Sequence, residues 1–450
     1  MRSPGLPAHP LPLHPHAPGP KPAPSAGNAW WRVGLWRTLA GVALAGLGLT
    51  PLTQAAPTPL YTPQGQCAGH PGVALTVPPG WCAGLVADAR DGLRMPRRLL
   101  EVAPGRFWIV DMGSWEPRRG RLLELRSAGQ PGEPGRLRTL ASGLDRPHAL
   151  VRGPDGKIYV GEAGTVWRTP VGETVQREDL ITGLPADGAH PLKELVFGAD
   201  GRLYINMGSA TDACRDEQQR QALLCPETTG ARPRAAVYEA VLGGPGFTLQ
   251  SLRPYATGLR NSLGLAVVPA RGRQSARLWQ AENSVDYSDA QAPAEELNEL
   301  ADGAHFGWPY CVSDARARSV VARGYEGRAR CSGPTHRPPH QAWPAHVAPL
   351  QLLLVPPAGA GQAATPWSGR LLAVWHGYRA QGQRIVAWRL GADGRPQGPR
   401  EDLVSGWSAA PGLRPLGNPA GATVDAQGRL WVVEDRNHTV LVVAPAPAAR

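Results

Sequence analysis

A short pattern of turn and apolar residues recurs through most of the chain. Each copy has a small turn with Gly, one or two further residues, and then an apolar segment that usually contains an aromatic residue. The turn glycines are Gly105, Gly156, Gly201, Gly272, Gly369 and Gly428. Asp-Gly sequences supply the positive φ angles of tight hairpin turns, and β-branched and aromatic residues favour strands. The pattern therefore predicts one strand hairpin repeated six times.

The spacing of these hairpins predicts the fold. Uninterrupted copies recur at roughly 45–60 residues, which is typical of four-stranded propeller blades. We therefore predict an all-β fold, a six-bladed β-propeller of four-stranded antiparallel blades over residues 78–445, with a pair of β-sandwiches as the alternative. Apolar positions show little helical periodicity, so helix should be scarce. The two longest intervals, from Gly201 to Gly272 and from Gly272 to Gly369, predict large loops that build a binding face.

The residues before the propeller read as an export segment. Residues 1–27 are rich in Pro, His and Ala and predict disorder. Two arginines then precede the apolar run Leu39–Leu49, and Thr53-Gln54-Ala55 resembles a cleavage site. We predict an n-region and signal peptide over residues 1–56, a linker over 57–77 and a tail over 446–450. The mature protein would be periplasmic or secreted without a stable membrane span, and a retained membrane anchor is the alternative.

Six cysteines agree with export to an oxidising compartment. They fall as sequence neighbours: Cys67 and Cys82, Cys214 and Cys225, Cys311 and Cys331. Six cysteines allow fifteen connectivities, and local pairing is the simplest of them. No C-x-x-C sequence occurs, so zinc binding, thioredoxin chemistry and covalent haem are not indicated. We predict three structural disulfides.

The net charge does not indicate a nucleic-acid partner. The chain has a formal charge of +11 and a pI near 9.8. A basic balance can indicate nucleic acid, a membrane surface or an anionic cofactor. The arginines are scattered, however, without long basic runs or interleaved aromatic residues. We therefore expect no nucleic-acid binding.

Two short segments contain side chains suited to catalysis. His190 lies shortly before an apolar strand, where it could face the central channel and act as a general base near neutral pH. A surface loop histidine is the alternative. Arg260 and Asn261 lie between Gly258 and Gly264 and offer a planar cation and a neutral amide to a carboxylate or a developing oxyanion. The alternative for Arg260 is a turn cap.

A third region concentrates oxygen-rich side chains. Glu282, Asp286, Glu295 and Glu296 lie close together in the sequence, and calcium prefers many oxygen ligands. A solvated acidic loop explains the cluster equally well. Two further stretches that contain His346 and His376 are rich in aromatic residues, and core packing accounts for them.

Together these segments resemble the soluble quinoprotein glucose and sorbosone dehydrogenases, six-bladed propellers that use pyrroloquinoline quinone (PQQ). The resemblance rests on the order and spacing of several pieces and covers roughly Pro78 to Pro445. The pieces are His190 with Phe197-Gly198-Ala199-Asp200-Gly201, Gly258-Leu259-Arg260-Asn261, Glu296-Leu297-Asn298 with Gly307-Trp308-Pro309, His346-Val347-Ala348-Pro349 and His376-Gly377. The sorbosone branch fits better, through the stretch from Gly208 to Cys214 and through His376-Gly377.

The resemblance implies roles for individual residues. His190 matches the catalytic base that takes the proton of a sugar hydroxyl while hydride passes to the quinone. Arg260 and Asn261 match the pair that lies against the quinone oxygens. Calcium in this family is held by PQQ oxygens and by backbone carbonyls after the position of Glu282, which implies Ser284 and Val285. Glu295 and Glu296 resemble acidic positions of a further, structural calcium site.

The three carboxylates of PQQ imply further cationic contacts, for which Lys193, Arg379 and Arg414 are the candidates. Two positions depart from the family pattern. Glu194 puts a carboxylate near the implied site, where it could repel PQQ or pair with a lysine. Asn418 stands where the family often has Arg.

The resemblance implies an exported PQQ-dependent sugar dehydrogenase of the aldose or sorbosone type. A calcium-dependent lactone hydrolase and a non-catalytic ligand-binding propeller are the alternatives. Without a haem motif, the electrons would leave to a separate acceptor, a cytochrome or a quinone. The related glucose enzymes make a homodimer conceivable.

Overall fold

The computed structural model describes Tyr61 and residues 64–127, 136–230, 232–377, 379, 381–407 and 417–447. The predicted export segment, the run Leu39–Leu49 and Arg414 lie outside these residues. The described part contains no α-helix, and its two short 3-10 helices span Ala89–Asp91 and Pro226–Thr228. No described helix has the length and apolar character needed to cross a membrane.

Six antiparallel sheets form the blades, and we number the blades in chain order with each strand given from the innermost outward. Blade 1 contains Pro96–Ala103, Arg106–Asp111, Gly120–Arg126 and Arg136–Leu144. Blade 2 contains Ala149–Arg152, Ile158–Gly161, Val166–Thr169 and Glu178–Ile181. Blade 3 contains Leu195–Phe197, Leu203–Met207, Ala236–Gly243 and Thr248–Thr257, with Ala304–His305 added in parallel at its edge.

The second half of the chain forms the remaining blades. Blade 4 contains Gly264–Val268, Arg277–Glu282, Glu295–Leu300 and Gln341–Trp343. Blade 5 contains Pro349–Val355, Arg370–Trp375, Arg384–Leu390 and Pro396–Val404. Blade 6 contains Pro419–Val424, Leu430–Glu434, Thr439–Pro445, Trp81–Ala87, His70–Val73 and Gln66–Cys67. A separate hairpin pairs Cys311–Ser313 with Ser319–Val321.

Blade 6 joins the two ends of the described chain. Strand Thr439–Pro445 pairs antiparallel with strand Trp81–Ala87, which closes the ring of blades. The first strands of neighbouring blades contact one another all the way round. The strands Gln66–Cys67 and His70–Val73 extend this sheet, so the propeller begins inside the predicted linker 57–77. The all-β six-bladed prediction is confirmed.

The six turn glycines occupy one structural position. Each has a φ between 57° and 80° and lies in the turn between the first and second strand of its blade. In three of these turns an Asp side chain accepts the backbone N–H of a residue that follows the Gly, with distances of 3.2, 3.2 and 2.8 Å for Asp155, Asp200 and Asp425. A Gly tolerates positive φ without steric cost, so the repeat in sequence is a repeat of this turn.

The apolar core lies between neighbouring blades. At the junction of blades 6 and 1, the ring of Phe107 lies 4.1 Å from the ring of Trp431, centroid to centroid. Both side chains are fully buried, in one cluster with Leu99, Val433 and Val440. The second strands present apolar residues to the blades on both sides, so Leu203–Met207 and Leu430–Glu434 are buried throughout.

The three disulfides join Cys67 to Cys82, Cys214 to Cys225 and Cys311 to Cys331, as local pairing predicts. The second and third staple the two long loops, which follow the second strand of blade 3 and the third strand of blade 4. These loops share one apolar cluster that includes Cys214, Trp308 and Tyr325. The two loops thus pack against each other and form one stapled unit beside blades 3 and 4.

Arg98 fills the axis of the propeller and bonds to groups from all six blades. Its guanidinium donates to the carbonyls of Arg97, Leu263, Leu350 and Ala420 and to the carboxylate of Glu194, and it lies 3.0 Å from Nε2 of His148. We call this group the axial cluster. Arg98, His148 and Glu194 are all buried. The cluster closes the channel below the mouth.

Candidate functional site

A cavity of about 610 Å³ opens at one end of the propeller. Its lining residues precede or begin the first strands of the blades or follow the second strands, except Glu295, which begins the third strand of blade 4. Most of the lining consists of Met95, Arg97, Trp115, His190, Leu192, Arg260, Asn261, Leu263, Asn283, Ser284, Asp286, Glu295, His346, Leu350, His376, Arg379, Asp435, Arg436 and His438. His190, Arg260 and Asn261, which are far apart in sequence, are therefore brought to one cavity.

His190 presents one unengaged ring nitrogen to this cavity. Its Nδ1 lies 3.0 Å from the carbonyl of Ser209 and 2.9 Å from the Ser209 hydroxyl. The carbonyl can only accept, and the hydroxyl donates to the carbonyl of Thr211 at 2.6 Å, so Nδ1 must carry the hydrogen. Nε2 then holds a lone pair and has no hydrogen-bond partner among the described residues. Gly208 allows this packing, because a Cβ there would lie 2.5 Å from the His190 Cβ.

The surroundings of His190 keep its imidazole neutral. Burial, together with the positive charge of Arg260, lowers the pKa of His190 to about 3. A neutral imidazole with a fixed Nδ1 hydrogen is the form that can accept a proton at Nε2. The arrangement thus supplies a base whose orientation is set by Ser209.

Arg260 is buried beneath the cavity rim and is held by several acceptors. Nε donates to the carbonyl of Asp212 at 3.1 Å and Nη1 donates to the carbonyl of Asn283 at 2.9 Å. Nη2 pairs with the carboxylates of Asp212 and Asp286 at 2.7 and 2.8 Å. A guanidinium has five N–H donors, so these contacts leave one donor of Nη1 for a ligand.

The floor of the cavity is apolar. Met95, Leu192, Leu263 and Leu350 pack together from four different blades and line the cavity floor. Leu263 and Leu350 also give their carbonyls to Arg98 of the axial cluster. An apolar surface therefore lies next to the buried guanidinium of Arg98, and such a surface can accommodate the apolar face of a ring ligand.

The opposite side of the cavity contains a second histidine. His376 Nε2 lies 2.9 Å from one carboxylate oxygen of Asp435, whose other oxygen accepts from Arg97. Although burial acts to raise it, His376 and Arg97 lower the pKa of Asp435 to about 2. Asn418 is fully buried and donates to the carbonyl of His376. Asn418 therefore supports His376 from behind and does not line the cavity.

The predicted calcium residues divide between two places. The carboxylate of Glu295 lines the cavity and accepts the N–H of Ser284 at 2.6 Å. Glu296 instead faces a separate small cavity of about 10 Å³, which Glu282, Ser284 and Val285 also line. Burial raises the pKa of Glu295 to about 8, and burial with the charge of Glu296 raises the pKa of Glu282 to about 8. A bound cation would offset the cost of ionising these buried carboxylates.

The three residues predicted as cationic contacts of PQQ do not lie together. Arg379 is exposed at the cavity mouth. Lys193 is fully buried and donates to the carbonyls of Pro185 and Pro191 at 2.8 and 2.6 Å, away from the cavity. Its neighbour Glu194 pairs with Arg98 and so does not put an uncompensated charge into the site. Arg414 lies outside the described residues.

Sequence reasoning did not identify Arg97, Trp115, Ser209 and Asp435 as site residues. Trp115 is 55% exposed at the cavity and lies in the loop between the second and third strands of blade 1. Arg97 and Asp435 come from blades 1 and 6, at opposite ends of the sequence. The available signal was position within the blade, because lining residues recur just before first strands and just after second strands.

One protein-family model matches part of the chain. Residues 171–375 match the family described as Glucose / Sorbosone dehydrogenase. The matched segment includes His190, Arg260, Glu295 and His346 of the cavity. The predicted family resemblance is thereby confirmed, without a distinction of the sorbosone branch. A search of the curated proteins found no significant match.

Solved structures with the same fold share low sequence identity with the chain. The iodide structure of a Trichoderma reesei carbohydrate-active enzyme of family AA12 has a TM-score of 0.63 and 20% identity, covering 86% of this chain and all of that one. The holo form of the PQQ domain of pyranose dehydrogenase from Coprinopsis cinerea has a TM-score of 0.62 and 20% identity, covering 84% and 99%. PQQ-bound aldose sugar dehydrogenase from Streptomyces coelicolor has a TM-score of 0.51 and 17% identity, covering 82% and 99%.

Proposed function

We propose, from the match of residues 171–375 to the glucose / sorbosone dehydrogenase family, that this protein is an exported PQQ-dependent sugar dehydrogenase. The observation that carries the proposal is the pair of His190 and Arg260 in one cavity, with Nε2 of His190 unbonded and the imidazole neutral. Three disulfides support export to an oxidising compartment.

The residues of the cavity fit PQQ. The apolar floor of Met95, Leu192, Leu263 and Leu350 suits its planar rings. Its three carboxylates require cations, and Arg97, Arg260, Arg379 and Arg436 line the same cavity. The side-chain amide of Asn261 also lines the cavity and has no hydrogen-bond partner in the described part of the chain. When bound, PQQ supplies the hydride acceptor of the reaction.

The chain itself supplies the proton acceptor and the charge. His190 accepts the proton of the sugar hydroxyl at Nε2, while Ser209 holds the Nδ1 hydrogen and fixes the ring. Arg260 stabilises negative charge that develops beside it during hydride transfer. An anionic ligand against Arg260 also offsets the charge that depresses the pKa of His190. Ligand binding should therefore make His190 a stronger base.

Calcium would be held at the rim of the same cavity. The backbone carbonyls of Ser284 and Val285, with Glu295, would supply its oxygen ligands, and Glu282 and Glu296 would hold a second ion in the small cavity that they line. The substrate would be an aldose or a sorbosone-type sugar, and the electrons would pass to a separate cytochrome or quinone. A homodimer is compatible with this proposal.

The test is a titration of the purified chain with PQQ in the presence of calcium, followed by a panel of aldoses. We expect stoichiometric PQQ binding. We also expect at least one sugar to reduce the bound PQQ, which changes its visible spectrum. His190→Asn should bind PQQ within about threefold of the parent but turn over roughly 10²–10⁴-fold more slowly. His336→Asn, a change of a histidine outside the cavity, is the matched control.

Two results would contradict the proposal. A folded protein that does not bind micromolar PQQ with calcium is not a quinoprotein, and lactone assays would then separate a hydrolase from a binding propeller. Equal turnover by His190→Asn and the parent would remove His190 as the base. At present no observation favours the hydrolase, because Asp286, Glu295 and Asp435 bond to different partners and do not converge on one point.

A further inference from the structure

The loop stapled by Cys214–Cys225 is joined to Arg260 of the cavity through the neighbouring residue Asp212. Asp212 lies two residues before Cys214, and its side chain is 39% exposed. Its carbonyl accepts from Nε of Arg260 at 3.1 Å, and its carboxylate pairs with Nη2 of the same guanidinium at 2.7 Å. Asp212 thus binds two different nitrogens of one side chain, which fixes both the position and the plane of the guanidinium.

Asp212 also ties Arg260 to the second stapled loop. The same carbonyl of Asp212 accepts from Nε1 of Trp308 at 3.0 Å. The same carboxylate oxygen accepts the backbone N–H of Asp286 at 3.0 Å. Trp308 lies three residues before Cys311 and is 3% exposed. Arg260 therefore contacts a junction of two disulfide-bonded loops.

The segment before Asp212 is itself fixed in place. Glu227, just beyond Cys225, accepts from the backbone N–H groups of Ala210 and Thr211 and from the Thr211 hydroxyl. The N–H of Ser209 donates to the carbonyl of Arg260 at 2.8 Å. The position of Asp212 is thus defined on both sides, by Glu227 and the disulfide and by the backbone of Arg260.

Asp286 provides a natural comparison. It also pairs with Nη2 of Arg260, at 2.8 Å, but through one carboxylate oxygen only, and its side chain is 76% exposed. Asp212 and Asp286 contribute the same charge to the guanidinium. Only Asp212 contacts two of its nitrogens and links it to the stapled loops.

From these contacts we infer that Asp212 is a positioning residue for the proposed reaction, which orients the Arg260 guanidinium toward an anionic ligand in the cavity. The inference rests on the proposed function, because Arg260 is the residue through which Asp212 acts. The disulfide Cys214–Cys225 then contributes to the site indirectly, because it fixes the segment that contains Asp212.

The experiment compares four variants of the full chain: Asp212→Ala, Asp212→Asn, Asp286→Ala and Asp216→Ala. The readouts are the PQQ dissociation constant of the cofactor-free protein, kcat, and KM for a sugar. We expect Asp212→Ala to weaken PQQ binding and lower kcat by roughly tenfold each, with KM changed by less than about threefold. Asp212→Asn keeps the acceptor atoms without the charge and should recover most of both losses.

The two other variants serve as comparisons of charge. Each of the two alanine changes removes one charge and one side-chain contact to Nη2 of Arg260, but only Asp212→Ala also removes the acceptor of the Asp286 N–H. The losses of Asp286→Ala should therefore be smaller than those of Asp212→Ala. Asp216→Ala removes one charge from the same stapled loop at an exposed pair with Arg220, and should leave kcat and PQQ affinity unchanged. Thermal unfolding of each variant checks that the protein remains folded.

Each remaining outcome overturns the inference. If Asp212→Asn loses as much as Asp212→Ala, the charge of Asp212 matters and its hydrogen-bond geometry does not. If Asp212→Ala behaves like Asp216→Ala while Arg260→Ala still weakens PQQ binding, the proposed function stands and the positioning role is wrong. If Arg260→Ala itself binds PQQ normally, the assignment of Arg260 in the proposed function fails first.

Discussion

Arg98 and Arg260 are both buried, but they use their donors in different ways. Arg98 bonds to carbonyls of the first strands and to Glu194, whose side chain is 6% exposed. Arg260 bonds to loop carbonyls and to two carboxylates with 39% and 76% exposed side chains. Water can reach the two carboxylate partners of Arg260, whereas Glu194, the carboxylate partner of Arg98, is almost fully buried. The comparison separates a cation that holds the scaffold from one that is available to a ligand.

The strongest test of this difference is Arg98→Met. It removes the donor from all six blades and leaves Glu194 buried without its cation, which we expect to cost about 3–5 kcal/mol of unfolding free energy. Chemical denaturation measures this loss. The double variant Arg98→Met with Glu194→Leu should recover much of it, because neither buried charge remains. Equal denaturation midpoints for Arg98→Met and the parent would show that the axial cluster does not stabilise the ring.

Arg260→Ala should give the reverse result. Asp212 and Asp286 can be hydrated after the change, so we expect unfolding free energy to fall by only about 1 kcal/mol. PQQ affinity should fall about 100-fold, equivalent to about 2.7 kcal/mol of binding free energy. Arg260→Lys keeps the charge without the planar fork and should recover only part of the affinity. A large stability loss with normal PQQ affinity would place Arg260 with Arg98, among the scaffold residues.

A smaller effect should appear in the pH dependence of stability. The pKa of His190 is about 3 in the folded protein and near 6.5 when unfolded. The unfolded chain therefore binds more protons between these values, so His190 lowers stability as pH falls from 6.5 toward 3 and has no effect above that window. Its share of the slope is at most about 1.4 kcal/mol per pH unit.

Denaturation of His190→Asn and the parent at pH 4, 5, 7 and 8 measures this share. The stability difference between the two proteins should be constant above pH 7 and shift in favour of the variant as pH falls. A difference that does not change with pH would mean that His190 titrates normally in the folded protein and is accessible to water.

The architecture was predictable because each blade repeats a local signal. Gly105 and its five counterparts each require a positive φ at a short turn, and that requirement shows in sequence. The cysteine pairs were predictable because each disulfide closes one loop, with a sequence separation of at most 20 residues. His190, Arg260 and Asn261 were predictable only through resemblance to a family, since a lone His or Arg has no local signature.

Contacts between distant blades were not predictable. Arg98 and Glu194 lie 96 residues apart, and most partners of Arg98 are backbone carbonyls, which any sequence supplies. Lys193 was predicted as a cofactor contact, but its ammonium group is buried and donates to the carbonyls of Pro185 and Pro191. The axial cluster explains why Glu194 is tolerated beside the site.

The pairing of Thr439–Pro445 with Trp81–Ala87 has a consequence for the chain as it is made. Until the last strand has been synthesised and has paired, two strands of blade 6 present unpaired backbone groups along their edges. Open strand edges can pair with those of other molecules and cause aggregation. The last described strand therefore protects the protein against aggregation, although none of its residues lines the cavity.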